Sequence, residues 1–225
     1  MRRSLSTSVL FLAIAVLAAR AEVVDRVVAV VNAHAILLSE LDSAVRLEAL
    51  LNHQPLNSIA DASRQATFER MIDQELLRGE MENSSVASST PAQVAFRLQE
   101  VRQQYSEAST DAEWAKILSR YGVTEQEVKA EIAAQLDGLR LIDFRLRSSA
   151  LPDATQIDRY YRATYEPEMR AKHAKPAPLV EVTPQIREIL TQQKMTDLTA
   201  TWLQTLRSQA NIQINIKLPE AAAKP

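Results

Sequence analysis

The alternation of apolar and polar positions changes period several times along this chain, and each change predicts an element. Residues 23–31 are β-branched and apolar and read as a strand, residues 32–34 as a turn, and residues 35–38 as a short return strand. Ser39 is the expected cap of a helix with Asp42 at its third position, carrying Leu41, Val45, Glu48 and Leu51 near one face and ending before Pro55. A second helix over 61–83 places Phe68, Met71, Ile72, Glu75 and Leu76 at helical spacing.

Three capping boxes then follow in order. Thr90 with Gln93, Thr110 with Glu113 and Thr124 with Glu127 each put a hydroxyl acceptor three residues before a side chain that can reach back to its amide. The helices they open carry the stripes Val94, Leu98, Val101, Tyr105; Trp114, Ile117, Leu118, Tyr121; and Val128, Ile132, Leu139, Ile142, Leu146. Gly122 suits the position just past a helix end. Residues 148–152 read as a hinge, and a further helix with Ile157, Tyr161 and Tyr165 is expected to stop near Pro167. Residues 172–178 hold two prolines and read as a linker. A last helix begins at Thr183 and Pro184 with Ile186, Ile189, Leu190, Leu198, Trp202 and Leu206 facing inward, followed by a period-2 strand over 211–218. A lone apolar strand needs partners, and the only other strand material lies near the N-terminus, so the two ends are expected to share a sheet. The fold class that results is mainly α, a multi-helix body with a small β-sheet formed by an N-terminal hairpin and a C-terminal strand. No internal repeat is visible.

Composition sharpens this picture. Three glycines in 225 residues, against an average near 7%, disfavour folds built on tight hairpins, phosphate loops or nucleophile elbows. Arg2 and Arg3, an apolar stretch over 9–19 and the small-x-small motif Ala19, Arg20, Ala21 read as a secretory signal with cleavage after Ala21, which leaves 204 residues and a periplasmic address. Removing Arg2, Arg3 and Arg20 takes the formal charge from −2 to −5, which argues against a nucleic-acid partner. No cysteine is present, so disulfides, thiol nucleophiles and thiolate metal sites are excluded.

Candidate chemistry is sparse. His34, His53 and His173 fall in a turn, a loop and a linker with no metal-ligand spacing, and Glu125/Glu127 and Glu166/Glu168 sit at helix ends where carboxylates suit the dipole. The expectation is therefore no catalytic residue, no cofactor and no metal. Tyr160, Tyr161, Tyr165 and Met169 are the candidate peptide-binding residues, since aromatic and Met side chains adapt to many apolar partners.

Particular segments also carry a resemblance. VDRVVAVVN (24–32), SELD (39–42), ERMIDQELL (69–77), ATQIDRYY (154–161), IREIL (186–190) and WLQTLR (202–207) resemble the SurA family of periplasmic chaperones over most of the mature chain. That resemblance implies a discontinuous helical chaperone domain over 22–166 and 183–218, with 167–182 as a linker where relatives hold a parvulin prolyl isomerase, and a disordered tail over 219–225. It implies an ATP-independent holdase for unfolded exported polypeptides such as outer-membrane protein precursors, without stable membrane insertion. A linker this short is far below the ~50 residues of a small domain, so isomerase activity is not expected. A prolyl isomerase, and a partner-specific structural subunit such as a homodimer, are the alternative readings.

Overall fold

The computed structural model describes residues 25–216, so the expected leader, the first residues of the opening strand and the C-terminal tail lie outside the described residues. Within them the chain is mainly α with one small antiparallel sheet. Strand β1 (Val27–Val31) turns through Asn32, whose φ of +54° asparagine tolerates, into β2 (His34–Leu37). The register shifts between Val27 and Ala29, and the irregularity leaves Val28, Ala29 and Val31 all buried.

Helix α1 (Leu38–Leu51) follows without a loop, one residue before the expected cap. Ser39 is not the cap: its hydroxyl and amide go to Asp25, while the Glu40 carboxylate accepts from the Leu37 amide at 2.8 Å. After a 3₁₀ turn at Leu56–Ser58 come α2 (Asp61–Glu82), α3 (Pro91–Gln103), α4 (Asp111–Tyr121) and α5 (Glu125–Ala150). All three capping boxes form, and Gly122 takes φ +65° at the end of α4.

Two buried clusters share α1 as a common wall. Leu47, Ala49 and Leu50 face α3, α4 and α5 around Trp114, Ile117 and Ile132. Leu41 and Val45 face the sheet and α2 around Phe68 and Ile72. Leu139, expected in the buried stripe of α5, is instead exposed. α5 trades neighbours along its length, from α3 and α2 to α8, so one stripe does not describe it.

The second half of the chain departs from the expected breaks. α5 runs through Ser148 and Ser149 to Ala150, so the hinge shrinks to residues 151–153. Asp153 then caps α6 (Ala154–Tyr160) with Gln156, a fourth box of the same kind. The helix does not stop at Pro167: a π turn at Tyr161–Tyr165 leads into α7 (Glu166–Ala171). α8 (Leu179–Gln209) starts four residues before Thr183 and carries Pro184 inside it. The non-helical linker is therefore 172–178 rather than 167–182. Strand β3 (Ile212–Ile214) pairs antiparallel with β1, giving the order β2-β1-β3. The opening and closing strands thus build one sheet, as their apolar patterns require. Arg207 fastens the return: its guanidinium donates to Asp73 Oδ1 at 2.6 Å, Glu69 Oε2 at 2.6 Å and the Glu69 carbonyl at 2.9 Å.

Candidate functional site

Residues 151–190 form an arm with a cluster of its own. Ile157 on α6 and Val182 and Ile186 on α8 are buried together, and the partly buried Tyr160, Tyr161, Tyr165, Ala177, Leu179 and Leu190 pack around them. Three buried side chains thus carry six that still meet solvent. The two clusters in the body have the buried side chains in the majority, fifteen to five and nine to seven.

Two of the tyrosines bracket the π turn. Tyr161 and Tyr165 stack at 5.5 Å with 24° between planes. The Tyr161 hydroxyl donates to the Ala177 carbonyl at 2.8 Å, tying the arm's helix to the linker that was expected to pack against nothing. Burial pushes the Tyr161 phenol up from its ordinary value, with Glu166 and Tyr165 adding to the effect. Glu166 is paired with Arg170 at 3.2 Å on α7. His173 reverses the chain at φ +55°, and the Ala174 amide bonds back to the Met169 carbonyl at 2.9 Å.

Three of the four candidate residues therefore share one cluster: Tyr160, Tyr161 and Tyr165. Met169 is half-buried one turn further on and does not belong to it. Sequence reasoning missed Ala177, Leu179 and Val182, because the prolines around them suggested a linker. The apolar positions 177, 179, 180 and 182 were the available signal. Val180 and Leu151 stand out as large exposed apolar residues of the arm, and Phe96, Leu139 and Phe144 do so on the body.

A half-open cavity of about 450 Å³ lies in the body between the loop after α1 and the end of α4. His53, at φ +53°, stacks on Tyr105 at 4.3 Å. Tyr105 donates to the Leu50 carbonyl at 2.7 Å and Tyr121 to the Gln54 carbonyl at 2.9 Å. Burial pushes the Tyr105 phenol far up, which keeps it a neutral donor. Its own amide and Arg120 hold the Glu107 carboxylate below its usual range. Both tyrosine hydroxyls hold the loop, and the remaining polar pair, Glu107 with Arg120, neutralises itself at the rim. The arrangement fastens a corner and presents no activated nucleophile. His34 lies in β2 and His173 after α7, apart in the fold from His53's stack.

Among the described residues no cluster of His, Asp or Glu is placed to hold a metal ion, and no helix is long and apolar enough to cross a membrane. No protein-family model matches this chain, and no curated protein matches it either.

Proposed function

We propose that the protein is an exported, ATP-independent chaperone that holds unfolded polypeptides, precursors of outer-membrane β-barrels among them, in the periplasm. The observation that carries this reading is the arm, where partly buried aromatic and aliphatic side chains outnumber the fully buried ones they rest on. The resemblance to the SurA family supports it, as does a topology in which the first and last strands close one body.

The energetics fit weak, reversible capture. A partly buried tyrosine, exposing at most about a third of its surface, leaves roughly 60 Å² to cover, worth about 1.5 kcal/mol at ~25 cal/mol per Å². Four such side chains supply about 6 kcal/mol gross, and association costs at least ~4 kcal/mol of it. The arm alone therefore binds no tighter than roughly the millimolar range, and a long client gains affinity by touching Phe96, Leu139 and Phe144 as well. Release then needs no nucleotide.

The test is aggregation of an outer-membrane β-barrel protein diluted from urea, followed by light scattering with stoichiometric mature protein. Suppression is the expected result, with the double substitution Tyr160→Ser, Tyr165→Ser losing about half of it while Tyr161 keeps its bond to Ala177. If the wild-type protein leaves aggregation unchanged, the reading fails. Acceleration of prolyl isomerisation in a peptide, a step that otherwise takes tens of seconds, would point to the isomerase reading instead.

A further inference from the structure

β3 is an edge strand, and its register defines which of its backbone groups point outward. Asn32 donates to the Asn211 carbonyl at 2.8 Å and Asn215 donates to the Val28 carbonyl at 2.9 Å, with Gln213 opposite Val30 between them. Residues 211, 213 and 215 therefore direct their amides and carbonyls at β1, and Ile212 and Ile214 direct theirs away from it. Among the described residues nothing hydrogen-bonds those outward groups. The edge is short, but it carries none of the residues that usually blunt one: residues 211–216 contain no charge, proline or glycine, and Ile214 is 54% exposed.

The residues on this edge read the same in both directions. Asn211, Ile212, Gln213, Ile214 and Asn215 are symmetric about Gln213. An antiparallel partner with identical sequence, related by a two-fold axis at Gln213, pairs Ile212 with Ile214, Gln213 with Gln213 and Asn211 with Asn215. In that register both outward-facing isoleucines meet as hydrogen-bonded pairs, forming four bonds. The three amide positions become close non-hydrogen-bonded pairs, where amide side chains bond one another. Isoleucines gather on one face and amides on the other, and no like charges oppose. A register shifted by one residue would lose all of this, because inward-facing groups would meet outward-facing ones.

We infer that β3 is a self-complementary edge to which a second copy of this chain adds, giving a continuous sheet in the order β2-β1-β3-β3-β1-β2. The interface is isologous and closes at two copies. Five residues a side bury less than the ~1,200 Å² at the low end of stable interfaces, so the dimer is weak and concentration-dependent. The inference does not depend on the holdase reading, which the aggregation assay tests separately.

Single cysteines introduced into the cysteine-free mature chain test it. Non-hydrogen-bonded partners lie about 4.5 Å apart at Cα, within disulfide reach. Gln213→Cys is expected to oxidise to a disulfide dimer. Asn211→Cys and Asn215→Cys each place their two thiols about 13 Å apart, four residues along the strand, and are expected to cross-link only when mixed with each other. Sedimentation of the wild-type protein should show mass rising with concentration. Ile214→Pro removes two of the four inter-copy bonds but none to β1, and should weaken association about thirtyfold. Equal cross-linking by all three cysteines overturns the inference. So does a wild-type chain that stays monomeric at every concentration, or one whose β3 edge is covered only by an added extended client peptide.

Discussion

Thr90, Thr110 and Thr124 each accept from an amide three residues on, while Gln93, Glu113 or Glu127 reaches back to the threonine's own amide at 2.6–2.9 Å. These reciprocal bonds need only neighbours in sequence, which is why they were legible before any tertiary contact was known. Two of them also make stability depend on pH. Hydrogen bonds from Thr124 hold the Glu127 carboxylate below its ordinary value of 4.5, and bonds from Ser109 and Thr110 do the same for Glu113. A carboxyl whose folded value is depressed binds its proton more readily when unfolded, so its stabilisation is complete above 4.5 and fades as pH falls through the lower, folded value. Thr124→Ala should cost about 1 kcal/mol at neutral pH in urea titrations. Glu127→Gln keeps the backward bond but loses its proton, so the fall in urea midpoint between pH 5 and about 3 should be shallower. An unchanged slope would mean that other carboxylates govern acid unfolding. Ser39 shows the limit of local reading: its hydroxyl is claimed by Asp25, fourteen residues earlier, and no local pattern announces that.

At the scale of elements, the boundaries set by proline were the least legible. Proline lacks an amide and its ring crowds the carbonyl four residues before it, so Pro167 reads as a stop. The chain instead widens to a π turn over Tyr161–Tyr165 and continues, since the longer repeat relieves that crowding. Tyr161 and Tyr165, four residues apart across this turn, stack on one face of the arm, so the feature that misled the sequence reading lies within the candidate site. Pro167→Ala should let ordinary α-helical bonding return across 161–171. Amide hydrogen exchange there should slow by about tenfold or more, and the fluorescence signature of the stacked pair should change. Exchange that stays as fast as in the wild type would show that the π turn is held by the tyrosines rather than by the proline. Pro184 is tolerated early in α8, where the Thr183 hydroxyl donates to the Leu179 carbonyl at 2.7 Å in the same turn.

For the molecule as a whole, the closure of its ends was readable because Ile212, Ile214 and Ile216 alternate and a strand cannot stand alone, leaving the N-terminal hairpin as the one place for it. The Arg207 clasp on Glu69 and Asp73 was not readable, since it joins residues more than 130 positions apart. The candidate site was legible in part. Three tyrosines could be named from helical spacing, but Ala177, Leu179 and Val182 beneath them belong to a stretch whose prolines disguised it. α8 reaches from that arm to the sheet, with Val182, Ile186 and Thr191 as its buried residues at one end and Leu206 against the sheet cluster at the other. A client held on the arm would therefore sit near one end of a long helix that also packs on α5 and reaches the sheet at its other end. A photo-reactive residue placed at Tyr160 or Met169, with the exposed Gln192 of α8 as the control, tests most directly whether clients are held there. Strong cross-linking to an unfolded outer-membrane protein from positions 160 and 169, and little from 192, is the predicted outcome. Equal yields from all three positions would contradict the account.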